Sequence, residues 1–165
     1  MTESALRTDG DFEDFYGRNC RFVYRLCLSY MKNRADAEDV AQDVFVKALK
    51  EGIMFENSAH ERRWLSVVSI NMCKNALKSW KRKKVEPISE VTEPQMTEKD
   101  YYGDVLVAVS KLPAKYKDAV WLYYYDGYST AEIAEMLRKP PSTVRGLIRD
   151  ARKKLRKILG DEYVE

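Results

Sequence analysis

A chain of 165 residues, 45% hydrophobic and 33% charged, can bury the core of one ordinary domain or of two small ones, which excludes a large multidomain enzyme. Its longest apolar run, Ala119 to Tyr125, falls far short of the ~20 residues that span a bilayer. The early acids Glu3, Asp9, Asp11, Glu13 and Asp14 face a single Arg7, the reverse of a secretory signal, so a cytoplasmic protein without membrane insertion is expected.

The net charge of +3 conceals a segregation. Lys74, Lys78, Lys81, Arg82, Lys83 and Lys84 have no acid among them, and Arg138 to Lys157 holds nine bases with only Asp150 as an acid. Between them, residues 85–104 carry one base against six acids. Two basic runs flanking an acidic segment point to a polyanion partner. Three cysteines without a CxxC pair, a lone His60 and scattered glycines leave no zinc cluster, no histidine-based triad and no phosphate cradle, so no catalytic residue, metal, cofactor or small-molecule substrate is expected.

In chain order, Phe12, Phe15, Tyr16, Cys20, Val23, Tyr24, Cys27, Tyr30 and Met31 recur at helical spacing and predict a long amphipathic helix with an aromatic core face. A second helix follows Asn33 as N-cap, buries Ala37, Val40, Ala41, Val44, Phe45, Ala48 and Leu49, and stops at Gly52. Its other face presents Glu38, Asp39, Gln42, Asp43 and Val46. After a loop with Phe55, Asn57, Ser58 and His60, a third helix spans about Glu61 to Lys83, with Leu65, Val68, Met72, Ala76 and Trp80 inward. Asn71, Lys74, Asn75, Lys78 and Arg82 share its opposite stripe, where amides combined with cations suit a nucleic-acid strand.

Val85 to Glu98 holds Pro87, Pro94 and four glutamates with no helical period, and reads as a linker. The domain boundaries expected are therefore 1–84, linker 85–98 and 99–165. In the second module a helix near Lys99 to Ser110 precedes one opened by Pro113 and stopped at Asp126-Gly127. Ser129-Thr130-Ala131-Glu132 has capping-box form, with Ile133, Ala134 and Leu137 behind it. Lys139-Pro140-Pro141 breaks that helix and Ser142 caps a last one. The last helix buries Val144, Leu147, Ile148, Ala151, Leu155, Ile158 and Leu159, and sets Arg145, Arg149, Arg152 and Arg156 on one outward stripe. Short helix, tight turn and cation-striped helix predict a helix-turn-helix that enters a DNA major groove. The fold class is all-α, two small helical domains joined by an acidic flexible linker.

Together these residues resemble the extracytoplasmic-function sigma factors of bacterial RNA polymerase, from about Phe12 to Leu159. Asp36-Ala37-Glu38-Asp39-Val40-Ala41-Gln42-Asp43-Val44-Phe45 resembles the family's core-binding helix, and Trp64-Leu65 with Asn71 the helix that handles the promoter minus-10 element. Leu112 to Tyr116, Tyr128 to Ala134, Ser142 to Arg145 and Ala151 to Leu155 resemble the domain that reads the minus-35 element. The resemblance implies that Glu38, Asp39, Gln42, Asp43 and Val46 dock on the clamp helices of the β′ subunit. It implies that the loop Phe55, Asn57, Ser58 and His60 receives an unstacked base, with Asn71, Lys74, Asn75, Lys78, Lys81 and Arg82 along the melted strand. It assigns minus-35 DNA to Ser142, Thr143, Arg145, Gly146, Arg149, Arg152, Lys153 and Arg156, with the second module seated on the β flap, and adds an anti-sigma factor as a further partner. Arg138, Gly146-Leu147, Asp150 and Ile70 depart from the family's pattern; Asp150 either accepts from a cytosine amine or pairs with a neighbouring arginine, and the intrahelical pair is favoured, since Lys153 and Lys154 also lie three and four residues on.

Two other classes fit parts of the sequence. A stand-alone helix-turn-helix regulator leaves the Asp39 to Asp43 and Lys74 to Lys84 stripes unexplained. A helical enzyme would have only Glu38, Asp39 and Asp43 to hold Mg²⁺.

Overall fold

The computed structural model describes residues 9–83 and 103–160. Its elements are α1 (Asp9–Met31), α2 (Arg34–Glu51), α3 (Ser58–Lys83), α4 (Gly103–Ser110), α5 (Ala114–Val120), a π-helical turn (Trp121–Tyr125), α6 (Thr130–Leu137) and α7 (Pro141–Leu159), with no strand among the described residues. The chain divides into two compact units, Met1–Val91 and Thr92–Glu165. The linker expected at 85–98, and the start of the fourth helix at 99–102, lie outside the described residues.

In the first unit α1, α2 and α3 pack against one another in all three pairings. Phe15, Val23, Leu26, Cys27, Tyr30, Val44, Phe45, Leu65, Ile70 and Cys73 fill the space between them, and each large side chain removed from water contributes about 1.5–3 kcal/mol. Asn33 caps α2 as expected, its side-chain oxygen accepting from the Asp36 N–H at 2.9 Å. Gly52 ends the helix with φ +58, the left-handed conformation that glycine adopts without a Cβ clash.

Four expectations about burial need correction, the first being that Tyr16, expected on the core face of α1, is 44% exposed. The inward face of α3 is centred on Leu65, Ser66, Ser69, Ile70 and Cys73, all buried, while Val68, Met72, Ala76 and Trp80 are half-buried at its margin. Ser66 and Ser69 look polar in sequence, yet their small size suits them to the space between packed helices. Ile70 is therefore core and faces no nucleic acid. Leu49 is 46% exposed, just outside the margin of the buried stripe of α2, and Ile158 is 42% exposed near the end of α7.

In the second unit α7 packs on α4, α5 and α6, burying Val144, Leu147, Ile148, Ala151 and Leu155 against Leu106, Val109, Val120 and Ile133. The capping box of α6 is complete: the Ser129 hydroxyl accepts from the Glu132 N–H, and the Glu132 carboxylate accepts from the Ser129 N–H, both at 3.1 Å. Arg138 follows with φ +55, a left-handed turn that costs a non-glycine residue about 1–2 kcal/mol. Ser142 does not cap α7. Pro140 occupies that position and Pro141 is the first helical residue, because proline has its φ preset and lacks the N–H that would go unpaired there.

Candidate partner and nucleic-acid interface

On α2 the exposed arc begins with Glu38, Asp39, Gln42 and Asp43 and continues into Val46 and Leu49. At about 100° per residue, Leu49 falls between Glu38 and Gln42 on the helical wheel. The face thus begins with acids, and its second half sets Val46 and Leu49 beside the exposed Lys47, Lys50 and Glu51, of which Lys47 and Glu51 pair at 2.9 Å. Periodicity could have found Leu49, since it lies seven residues after Gln42 and three after Val46. Among the described residues no group of three His, Cys, Asp or Glu could hold a metal ion.

The loop after α2 folds over an aromatic floor. Phe55 is 4% exposed and stacks on Phe15 at 5.7 Å between centroids, with its edge contacts to His60 at 5.3 Å and Trp64 at 5.8 Å. Phe55 therefore supports the loop from below and has little surface to offer a base, which corrects its expected role as a direct contact. Asn57 and Ser58 are exposed. Asn57 also caps α3, its Oδ1 accepting from the His60 N–H at 2.8 Å, and His60 Nδ1 accepts from the Glu56 N–H at 3.1 Å.

Behind the loop, Glu61 is buried and bound to α1. Arg18 Nε and Nη2 donate to its two oxygens at 2.9 and 2.8 Å, and Asn19 Nδ2 donates at 2.7 Å. Burial alone pushes the Glu61 carboxyl up, but the hydrogen bonds from Arg18 and Asn19, together with the Arg18 charge, outweigh it and hold the group below its ordinary value. No feature of the sequence marks this cluster, because its members are 42 and 43 residues apart.

Along α3, Asn71, Asn75, Lys78 and Lys81 are exposed and Lys74 is half-buried, all on the side away from the core. The Arg82 side chain lies outside the described ones. In the second unit Arg145, Arg149, Arg152 and Arg156 fall within about 60° of one another around α7. Gly146, Asp150, Lys153 and Lys157 make the neighbouring row, and Ser142 and Thr143 are exposed at the N-terminal end. Asp150 pairs with Arg149 at 3.4 Å, the intrahelical pair with a neighbouring arginine, while Lys153 and Lys154 are exposed. A Cβ at Gly146 would meet only the Arg149 guanidinium, at 3.8 Å. Arg152 is engaged from the side: its Nε and Nη2 both donate to the Tyr124 hydroxyl, at 2.9 and 2.7 Å.

The first unit thus carries a basic face on α3 and an acidic one on α2, and the second unit carries a basic face on its helix-turn-helix. Comparison with known proteins matches this division: a family model described as sigma-70 region 2 covers residues 15–83, and one described as sigma-70, region 4 covers residues 102–155. The chain belongs to the sigma-70 family. Within it the chain is a sigma factor of the extracytoplasmic-function type. It is 27% identical over 161 residues to the ECF RNA polymerase sigma factor SigM of Mycobacterium tuberculosis, an alignment covering 94% of this chain and 82% of that one. It is 28% identical over 156 residues to the RNA polymerase sigma-H factor of Pseudomonas aeruginosa, covering 83% and 80%. Its fold is similar to that of the sigma factor RpoE from Bartonella quintana, co-crystallised with the anti-sigma factor NepR, with a TM-score of 0.66 and 21% identity over 92% of this chain and 98% of that one. An alternative sigma factor with both regions directs promoter recognition and transcription initiation, and its partners are core RNA polymerase and promoter DNA. No described helix is long and apolar enough to cross a membrane.

Proposed function

We propose that this sigma factor divides its work among three faces. The α2 arc of Glu38, Asp39, Gln42, Asp43, Val46 and Leu49 docks on the β′ clamp helices, its acids steering the encounter and its apolar end desolvating. The loop with Asn57, Ser58 and His60 takes an unstacked minus-10 base, and Asn71, Lys74, Asn75, Lys78, Lys81 and Arg82 follow the non-template strand. Ser142, Thr143, Arg145 and Arg149, near the start of α7, read the minus-35 element, while Arg152, Lys153 and Arg156 hold phosphates. Residues 1–84 and 99–165 are the corresponding domains, with 85–98 as tether and the second domain on the β flap. The protein acts in the cytoplasm by binding, with no catalytic chemistry of its own. An anti-sigma factor is a further partner, supported by the one that the RpoE structure holds.

The observation that carries this reading is the exposure of these rows on α2, α3 and α7 while the opposite faces of the same helices are buried. Reversing Asp39 and Asp43 to Lys tests the docking face. Surface changes there should alter stability by no more than about 0.5 kcal/mol, yet weaken binding of core polymerase in a pull-down titration. Unchanged core affinity in that titration removes α2 from the interface.

A further inference from the structure

The functional reading above makes no use of Glu61, which is 7% exposed and cannot touch a nucleotide. A carboxylate buried this far is normally paired, and here every partner comes from one stretch of α1. Arg18 grips both carboxylate oxygens, and Asn19, itself buried, donates to Glu61 and to the Phe15 carbonyl. Phe15, one turn away, is also the ring on which Phe55 stacks. The segment from Phe55 to Glu61 is thus anchored at both ends to the same part of α1, by an aromatic stack at one end and a charged fork at the other. Between these anchors Glu56, Asn57, Ser58 and Ala59 are exposed, shaped by the Asn57 cap and the Glu56 to His60 hydrogen bond.

A guanidinium and a carboxylate joined through two parallel hydrogen bonds fix direction as well as distance. The fork therefore sets the rotation of the first turn of α3 against α1, and with it the outward direction of the loop. A receptor for a base leaving the stack gains from such fixing, because a loop already in its bound shape loses no affinity to its own ordering.

We propose that Glu61 is a positioning residue, holding the 55–60 loop through Arg18 and Asn19 in the shape that accepts an unstacked base. This rests on the reading of the loop given above. It assigns a role in strand capture to Glu61 and Asn19, which are buried, and to Arg18, which is held against them.

The test uses holoenzyme reconstituted with the full chain. The DNA is a promoter duplex selected with wild-type holoenzyme, mismatched across the minus-10 element, with an abasic site at one unpaired non-template position at a time. Wild type should lose about tenfold in affinity when the captured base is missing, the usual scale for one base on its protein platform. Glu61→Gln and Arg18→Met should bind intact DNA about tenfold more weakly, as expected for a broken charged hydrogen bond. Both should also lose most of the abasic penalty, while core-polymerase affinity stays at the wild-type value. Variants that bind weakly but keep the full penalty overturn the positioning role and leave the loop reading intact. A wild type with no abasic penalty at any position overturns the loop reading itself. Should Glu61→Gln fail to fold by circular dichroism, Arg18→Met decides alone, since the Arg18 side chain is 52% exposed.

Discussion

Ser69 shows how far a single residue can depart from its sequence appearance. It is fully buried in α3, and its hydroxyl has no hydrogen-bond partner among the described residues. An unpaired buried hydroxyl costs about 1–3 kcal/mol relative to one left in water. Ser69→Ala should therefore raise stability by about 1 kcal/mol, seen as a higher midpoint in denaturant titration; a lower midpoint would mean that the hydroxyl is satisfied in solution. Glu61 gives a prediction of the opposite kind. Its folded carboxyl is held below the ordinary value of 4.5, so the unfolded chain takes up the proton first as the pH falls. The stabilisation is complete above that ordinary value and is lost as pH drops through the lowered folded one. Wild type should then lose stability as the pH falls below the ordinary carboxylate value, more steeply than Glu61→Gln in parallel melts.

At the scale of the element, α7 carries the sharpest distinction. Arg145 lies near its N-terminal end, where recognition helices reach base edges, and Arg156 lies three turns further on. Arg145→Ala should cost about 1–3 kcal/mol on the cognate minus-35 sequence and relax discrimination at one or two base pairs, whereas Arg156→Ala should weaken cognate and altered sites alike. Binding to a panel of single-base variants decides it, and equal, uniform losses would make α7 a phosphate clamp only. Asp150 belongs to the same argument. Its contact with Arg149 offsets part of that cation's charge and leaves Arg145 as the least encumbered reader in the first turns. In α2 the case in point is Leu49, whose apolar side chain directly after Ala48 suggests core, although at about 100° per residue it falls among the exposed Glu38 and Gln42. Ala48 in the same turn is fully buried, whereas Leu49 lies about 100° further round the helix and joins Val46 on the open face.

For the whole molecule, charge and chain length set the prediction. Two DNA-binding faces on one chain gain by effective concentration only while their tether spans both sites. The fourteen residues from 85 to 98 reach about 46 Å at ~3.3 Å each when extended. Removing ten of them should reduce holoenzyme affinity for a two-element promoter to about that for a minus-10 element alone, measured by filter or fluorescence binding, while core affinity is kept. Unchanged promoter affinity would show that the elements are engaged without a tether of this reach.

The order of the helices, the caps at Asn33, Gly52 and Ser129 and the division of charge were legible in the sequence alone, whereas the cap of α7 and the π-helical turn were not. Asn33, Gly52 and the Ser129 capping box act through neighbours within four residues, and amphipathic stripes declare themselves by spacing. The exposed rows on α2, α3 and α7 were legible for the same reason, since charge on one side of a helix follows from local order. Only the tertiary structure decided which way α3 turns, that Ser66, Ser69 and Ile70 face the core, that Phe55 lies beneath its loop, and that Arg18 and Asn19 meet Glu61. Each of these depends on a contact between segments distant in sequence, where close packing and the pairing of a buried charge outweigh local preference.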